Sequence, residues 1–175
     1  RMEVLLAWQT MIADLCGLPL AGASLLDEST AAAEAMAMAR NIARGKGKVF
    51  LMDEHAHSQT IALVLGRAEP MGIEVRVVKP TEFEFTDEVF GCFVQMPTTS
   101  GDLIDHAALA EAAQAAGVVP IAAVDPLLLT LMRSPGEMGF EIAVGSAQRL
   151  GVPMGFGGPH AGFMATKSNH VRRMP

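Results

Sequence analysis

Polar side chains able to do chemistry follow the apolar runs of this sequence. His57 comes shortly after one apolar run, and Asp125 comes directly after another. Ser146 and Gln148 follow a third run in the same way. If these runs are parallel strands, the polar side chains meet beyond the carboxyl ends of the sheet, where open α/β sheets bind their ligands. The spacing therefore predicts a ligand site that contains an imidazole and a carboxylate.

A glycine-rich segment, IAVGSAQRLGVPMGFGGPHAGF, runs from Ile142 to Phe163 beside these residues. It opens with a short strand-like run at 142–144. Beyond that run its glycines and prolines exclude a helix or an ordinary strand, because glycine costs backbone entropy there and proline lacks a donor. Such a loop is either an irregular turn packed against a neighbour or a backbone that approaches something closely. Residues 155–160 do not match a dinucleotide-binding fingerprint, because Pro159 and the strand-like stretch 161–166 replace the required helix.

The sequence gives little support to a metal site, a reactive thiol, a nucleic-acid surface or a membrane span. His55 and His57 alternate to one side of an extended chain, but no third ligand is suitably spaced, so no metal site is predicted. Cys16 and Cys92 have no partner motif and are interpreted as small buried hydrophobic residues in a reducing compartment. The net charge of −6 and the scattered basic residues argue against nucleic-acid binding. No apolar run approaches the roughly 18 residues of a membrane-spanning helix.

The elements that position these residues follow from periodicity and propensity. Asp27, Ser29 and Thr30 precede an alanine-rich helical run, where they either cap the helix or leave its N-terminus to hold an anion. Helices are predicted at 2–16, 31–39, 58–68 and 105–117. Strands are predicted at 49–52, 73–78, 91–95, 118–124 and 142–144, with a long loop at 81–88.

This alternation predicts an α/β fold in which a mostly parallel sheet carries helices on both faces. Pro120 falls inside a predicted strand and argues against a regular central position for it. His106 and His170 stand alone and are interpreted as surface residues. The chain begins and stops abruptly, so residues 1–175 are expected to form a single partial domain that is truncated at both ends.

Five motifs together resemble one family. They are GLP with ASLLDESTAAAEA (17–35), HSQT (57–60), DPL (125–127), PGEMG (135–139) and VGSAQRLGVPMGFGGPH (144–160), the last being long and highly specific. Over essentially all 175 residues the chain is similar to the pyridoxal-phosphate-dependent glycine decarboxylases, the P-proteins of the glycine cleavage system. Ser58 departs from the family, which usually has proline after the histidine, and this slightly changes the stiffness of the loop.

The resemblance implies the large domain of a fold type I enzyme, within a protein made of two similar halves. This chain resembles the N-terminal, pseudo-catalytic half, because Gln148 stands where the catalytic half has its Schiff-base lysine, and an amide nitrogen is not a nucleophilic amine. The resemblance also assigns pseudo-site positions. His57 matches a ring-stacking histidine, Asp125 matches the carboxylate that pairs with the pyridinium nitrogen, and Thr30 matches the phosphate cup. No catalytic residue is assigned to this chain.

The family also implies a function for the intact enzyme. It binds glycine, releases CO₂ with pyridoxal 5′-phosphate held by the C-terminal catalytic half, and passes the aminomethyl group to the lipoyl H-protein. This half is expected to provide an interface and to lend Gly157, Gly158 and His160 to the rim of the catalytic pocket. For His160, a role in holding the turn remains the alternative.

The resemblance also implies an oligomeric assembly and a cellular compartment. The expected assembly is a homodimer or a two-subunit heterotetramer without nucleic acid or membrane, in the cytoplasm if bacterial and in the mitochondrial matrix if eukaryotic. Two alternatives stay open: a purely structural or regulatory half-module, and a stand-alone pyridoxal-phosphate lyase that uses Lys167.

Overall fold

The computed structural model describes all 175 residues. The α-helices are α1 (Met2–Cys16), α2 (Glu28–Ile42), α3 (Ser58–Ala68) and α4 (Ala107–Ala115). The strands are β1 (Leu20–Ala21), β2 (Val49–Asp53), β3 (Glu74–Val78), β4 (Val89–Met96), β5 (Val119–Val124), β6 (Ile142–Ser146) and β7 (Gly162–Thr166). Short 3₁₀ turns lie at Glu69–Met71, Pro80–Glu82, Leu128–Thr130, Ala147–Leu150 and Ser168–Arg173.

All seven strands form one sheet in the order β1-β7-β6-β5-β4-β2-β3. The strands from β6 to β3 are parallel to their neighbours, whereas β7 and β1 are antiparallel. The predicted mostly parallel sheet is confirmed. The carboxyl ends of β2, β4, β5 and β6 therefore lie together at what we call the carboxyl end of the sheet. The carboxyl end of β7 lies at the opposite end, because Thr166 pairs with Ile142, the first residue of β6.

Helices cover both faces of the sheet, as predicted. On one face, the buried alanines of α2 lie against apolar side chains of β5 and β6, and Val64 of α3 belongs to the same core. Alanine is small, so it lets this helix lie close to the sheet while it keeps high helix propensity. On the other face, Ile12 of α1 and Ala110 of α4 pack with Val124 and Phe163.

The start of α2 is fixed by local hydrogen bonds. The Asp27 carboxylate accepts a hydrogen bond from the Thr30 amide at 2.7 Å, and the Thr30 hydroxyl accepts one from the Asp27 amide at 3.1 Å. This capping box satisfies two amides and begins the helix at Glu28, ahead of the alanine run predicted to form it. Leu25 also forms a bridge with Gly162, which holds the start of the helix against β7.

Pro120 occupies a central strand, contrary to the sequence argument. It is the second residue of β5, and its carbonyl oxygen accepts a hydrogen bond from the Glu141 amide at 3.0 Å. The proline nitrogen points to the same side of the strand, where the pairing of β5 with β6 begins only at Ile121 and Ile142. The missing donor therefore falls outside the ladder, which makes proline acceptable at this position.

Both cysteines are free and buried, which confirms their interpretation as small hydrophobic residues. Burial raises the pKa of the Cys16 thiol to about 12 and raises the pKa of Cys92 as well, so neither is a ready thiolate. None of the four α-helices has the length and apolarity needed to cross a membrane.

Replacing Gly145 with alanine is expected to destabilise the fold. Gly145 lies in β6, and a methyl group there would overlap the carbonyl oxygen of Val124 and the ring of Phe163. Backbone cannot move away without disturbing the sheet, and overpacking of this kind costs about 1–3 kcal/mol. The thermal midpoint of the protein that contains this chain, measured by circular dichroism, should therefore fall.

Gly66→Ala in α3 is the matched control. A methyl group there meets nothing within 4 Å, and alanine is favoured over glycine in a helix by about 0.5–1 kcal/mol. The control should leave the midpoint unchanged or raise it. A Gly145→Ala protein that melts at or above the wild-type temperature would refute the steric account.

Candidate functional site

A cavity of about 260 Å³ opens at the carboxyl end of the sheet. Its walls come from the exits of the parallel strands and from the first turn of α2. The lining residues are Glu28, His57, Gln95, Pro97, Val124, Asp125, Ser146, Gln148 and Arg149. The structure thus brings together His57, Asp125, Ser146 and Gln148, which the sequence placed after different strands. We call this space the carboxyl-end cavity.

Glu28 enters the cavity from the first turn of α2. Its carboxylate accepts a hydrogen bond at 3.0 Å from the side-chain amide of Gln95, which lies near the end of β4. Burial raises the pKa of Glu28 above its ordinary value. The hydrogen bond from Gln95 and the nearby His57 act in the opposite direction, and the negative charges of Asp125 and Asp27 add to the increase. The pKa remains raised because desolvation is the largest of these effects.

Asp125 follows β5 and is held by neighbours of this chain. One carboxylate oxygen accepts the backbone N–H of Leu127 at 2.9 Å. The other lies 2.9 Å from Nε of Arg149, which reaches over from the turn after β6. The Arg149 side chain is largely exposed, so solvent screens this ion pair. The carboxylate predicted to face a cofactor nitrogen thus already has a guanidinium partner.

His57 is the residue before the first turn of α3, and its Nδ1 lies 3.0 Å from the hydroxyl of Thr99. Thr99 belongs to the polar loop after β4, and its amide donates to the carbonyl oxygen of His55 at 2.9 Å. These contacts orient the imidazole from the side of β4. His57 is therefore positioned by the loop of the neighbouring strand.

Gln148 lies in the turn directly after β6. Its amide donates to the Ser146 hydroxyl at 3.3 Å, and its side-chain Nε2 makes a long hydrogen bond of 3.4 Å to the carbonyl oxygen of Pro159. This contact brings the far end of the glycine-rich segment back to the cavity wall. No donor of the chain reaches the Oε1 atom of Gln148.

The glycine-rich loop itself leads away from the cavity. Phe156 has a positive φ of 57° and is fully exposed, and Met154 beside it is also exposed. Gly157 and His160 are exposed and Gly158 is partly buried, and none of these three lines the cavity. The loop predicted to serve a neighbouring pocket therefore points its tip outward.

Thr30 lies two residues after Glu28 in the first turn of α2 and does not line the cavity. Its hydroxyl is engaged with Asp27, at 2.8 Å from the carboxylate and 3.1 Å from the backbone amide. Of the two roles left open for the start of α2, capping is the one observed. The Asp27 and Glu28 carboxylates there would oppose a phosphate group.

Lys167 is remote from the cavity. It follows β7 at the opposite end of the sheet, where its Nζ lies 3.7 Å from the carboxylate of Glu141. No lysine lines the cavity. Because this cavity offers no amine, and carboxylates occupy the start of α2, its residues do not fit pyridoxal phosphate as a covalently held group.

Two histidines interpreted as surface residues are buried instead. His170 has its Nε2 2.7 Å from the Glu141 carboxylate, and that polar partner permits its burial. His106 lies at the start of α4 with Nε2 unpartnered, and burial lowers the pKa of its imidazole. The sequence argument missed both because burial depends on tertiary neighbours, which the local sequence around an isolated histidine does not show.

Glu28, Gln95 and Arg149 also escaped identification as site residues. A glutamate in the first turn of a helix is ordinarily explained by the helix dipole. Gln95 offered a usable signal, since a polar residue near the end of an apolar strand must find a partner when it is buried. Arg149 offered none, because nothing local shows that it reaches Asp125.

Comparison with known proteins shows which family this chain is similar to. The family model described as "Glycine cleavage system P-protein" matches residues 1–175. A mitochondrial glycine dehydrogenase (decarboxylating) from Dictyostelium discoideum is 49% identical over the whole chain. The glycine dehydrogenase (decarboxylating) from Jannaschia sp. (strain CCS1) is 53% identical, again over the whole chain. The chain spans 18% of the length of each of these relatives.

Solved structures with the same fold include a member of the same family. A glycine decarboxylase (P-protein) of the glycine cleavage system, in inhibitor-bound form, matches 99% of this chain with a TM-score of 0.90 and 38% identity, over 40% of its own chain. The cystathionine γ-lyase of Lactobacillus plantarum matches 97% of this chain and 44% of its own with a TM-score of 0.74. Its identity is 17%, so this second likeness concerns the fold alone.

The mostly parallel sheet, its two helical layers and these neighbours define the class as fold type I of the pyridoxal-phosphate-dependent enzymes. Within that class, the match of the family model to every residue is decisive. The chain belongs to the glycine cleavage system P-protein family.

Replacing Glu28 with glutamine is expected to raise the thermal midpoint at pH 7. The raised pKa means that ionising Glu28 is harder in the folded chain than in the unfolded chain, so the charged carboxylate costs stability at pH values above that pKa. Below a pH of about 4 the group is protonated in both states and the cost disappears. Midpoints of the variant and the wild type should therefore converge at low pH and diverge as the pH rises.

Glu34→Gln is the control on the same helix, where the carboxylate pairs with Arg67 at 3.1 Å outside the cavity. This variant should be no more stable than the wild type at pH 7. If Glu28→Gln instead lowered the midpoint at neutral pH, the ionised carboxylate would be a stabilising group and the assigned cause would be wrong.

Proposed function

We propose that this chain is part of a P-protein that decarboxylates glycine with pyridoxal phosphate and passes the aminomethyl group to the lipoyl H-protein. Family membership supports this proposal, because relatives named glycine dehydrogenase (decarboxylating) match the chain from end to end. The chain spans 18% of these relatives, so the complete reaction is assigned to the longer protein.

Within that protein, this chain is proposed to belong to the non-catalytic N-terminal half. The observation that carries the assignment is Gln148 in a cavity wall that has no lysine. An amide cannot form the covalent link through which such enzymes hold their cofactor. The cofactor, which supplies an electron sink for the loss of CO₂, is assigned to the C-terminal catalytic half.

The glycine-rich loop is proposed to meet the catalytic half at the rim of its pocket. Met154 and Phe156 support this placement, because two neighbouring apolar side chains at an exposed loop tip are typical of a contact surface. Gly157 and Gly158 would let the backbone come close to that pocket. His160, which makes no hydrogen bond within this chain and is exposed, is assigned the role of a donor at the rim.

The assembly follows from this assignment. The two halves pair as a pseudo-dimer, either within one long chain that forms a homodimer or as separate subunits of a heterotetramer. The relatives include a protein named as mitochondrial, so the compartment is proposed to follow the source: matrix in eukaryotes and cytoplasm in bacteria.

A structural or regulatory half-module is the second candidate. The ion pair between Asp125 and Arg149 favours it, because a guanidinium of the chain itself already pairs with the carboxylate that would otherwise face a ligand. A stand-alone lyase that uses Lys167 is disfavoured, because Lys167 lies at the opposite end of the sheet from the cavity.

Borohydride reduction of the full-length protein loaded with pyridoxal phosphate tests whether this half is non-catalytic. The reduced cofactor should be recovered by peptide mass mapping on a lysine outside residues 1–175, because no lysine lines the carboxyl-end cavity. Unloaded protein treated in the same way is the control. A stoichiometric adduct on Lys167 would establish a working cofactor site in this chain.

Replacing His160 with alanine in the full-length enzyme should lower kcat/KM for glycine decarboxylation by about tenfold, the usual effect of losing one hydrogen bond in a site. The thermal midpoint should stay unchanged, because His160 is exposed. Gln59→Ala, an exposed position on α3, is the control and should alter neither quantity. Unchanged turnover in His160→Ala would instead favour the structural half-module.

A further inference from the structure

The glycine-rich loop, residues 151–161, leaves the turn after β6 and returns to β7 with little support from the rest of the chain. The hydrogen bonds of its residues all go to other residues of the segment 147–161. Gly151, Gly155 and Gly157 have positive φ angles of 119°, 51° and 89°. A glycine-rich backbone has many accessible conformations, so fixing one of them costs conformational entropy. The position of the loop therefore depends on the contacts at its base.

Gln148 joins the two arms of this loop. On the outgoing arm, its carbonyl oxygen accepts hydrogen bonds from the amides of Gly151 at 3.3 Å and Val152 at 3.0 Å. On the returning arm, its side-chain Nε2 donates to the carbonyl oxygen of Pro159 at 3.4 Å. That carbonyl belongs to the peptide bond between Pro159 and His160. The Gln148 side chain therefore restricts the backbone that directly precedes the imidazole.

Arg149 connects the same turn to the end of β5. Its Nε lies 2.9 Å from a carboxylate oxygen of Asp125. Asp125 is itself held, since its other carboxylate oxygen accepts the Leu127 amide at 2.9 Å. Its own amide donates to the carbonyl oxygen of Met96 at 3.1 Å. Among the hydrogen bonds and ion pairs of the turn Ala147–Leu150, the one with Asp125 is the only one that reaches outside residues 142–163.

A third contact closes the base of the loop without involving a side chain. The Ala147 amide donates to the carbonyl oxygen of Ala161 at 2.7 Å, next to the last strand pair, Ser146 with Gly162. Because this contact is made by backbone atoms, it does not depend on which side chains follow β6. The side chains of the next two residues of the turn supply the remaining restraint.

We infer that Gln148 and Arg149 are positioning residues for glycine decarboxylation, which hold the glycine-rich loop so that His160 reaches the rim of the catalytic pocket. The inference rests on the proposed function, which places His160 at that rim. It deepens that function, because the amide at the position of the Schiff-base lysine gains a role of its own. Both side chains act through His160, and neither is a catalytic residue.

Hydrogen–deuterium exchange of the full-length protein, read by mass spectrometry on peptides that cover residues 151–160, tests the anchoring. We expect Gln148→Met, which keeps the length of the side chain without its donor, to speed exchange of the loop. Arg149→Gln should do the same, each by about two- to fivefold, because an exposed polar contact shifts a local opening equilibrium by about that factor. Arg67→Gln breaks a comparable exposed ion pair, with Glu34, and as the matched control should leave loop exchange unchanged.

A double-mutant cycle tests whether Arg149 acts through its ion pair. Asp125→Asn removes the partner carboxylate and keeps the shape of the side chain. Combined with Arg149→Gln, it should speed loop exchange no more than Arg149→Gln does alone, because the pair is already broken. Fully additive effects would refute the role of Arg149. Thermal midpoints verify that each variant is folded.

Turnover of the full-length enzyme tests whether this anchoring acts on His160. In Gln148→Met, kcat/KM for glycine decarboxylation should fall about two- to fivefold, less than the loss expected for His160→Ala. In the His160→Ala background, Gln148→Met should cause no further loss, because its effect passes through the imidazole. A general structural defect would instead lower kcat/KM by the same factor in both backgrounds.

The inference and the proposed function can fail separately. Unchanged loop exchange in both folded variants, Gln148→Met and Arg149→Gln, would overturn the anchoring whatever reaction the protein performs. Faster loop exchange without loss of kcat/KM, or an equal loss with and without His160, would overturn the positioning role. If His160→Ala leaves kcat/KM unchanged, the proposed rim contact fails and the positioning role falls with it, whereas the result of the exchange experiment stands.

Discussion

The buried carboxylate of Asp53 holds the carboxyl end of the sheet together. Asp53 is completely buried, so its oxygens must be met by donors. One oxygen accepts the amide and Nδ1 of His55, each at 2.9 Å, and the other accepts the amide of Gln95 at 3.3 Å. The exit of β2 is thereby tied to β4. The side chain of Gln95 extends the connection to Glu28 on α2. The wall of the cavity thus depends on a polar network that the apolar core alone could not provide.

Around this network, the polar side chains at the carboxyl end of the sheet bond to groups of the chain itself. Asp125 faces Arg149, Thr30 caps α2, and Gln148 contacts the carbonyl oxygen of Pro159. Each contact satisfies a polar group within the chain. The cavity itself is a consequence of how parallel strands end.

The sequence predicted much of the fold and part of the site. Periodicity located the strands and helices, and the positions of His57, Asp125 and Gln148 after strands were enough to bring them together. Glu28 escaped detection, because its partner Gln95 is 67 residues away along the chain. Pro120 and the buried histidines were misjudged for a related reason: pairing register and burial are properties of neighbours, which a local pattern does not contain.

The sequence by itself determined the α/β class, the family and the absence of an amine at position 148, because these depend on residue types and their order. Only the tertiary structure decided that Lys167 is remote from the cavity, since this follows from the antiparallel direction of β7. Only the tertiary structure decided that Asp125 meets Arg149 and that Glu28 accepts a hydrogen bond from Gln95. Charge balance depends on distances between elements, and packing sets those distances.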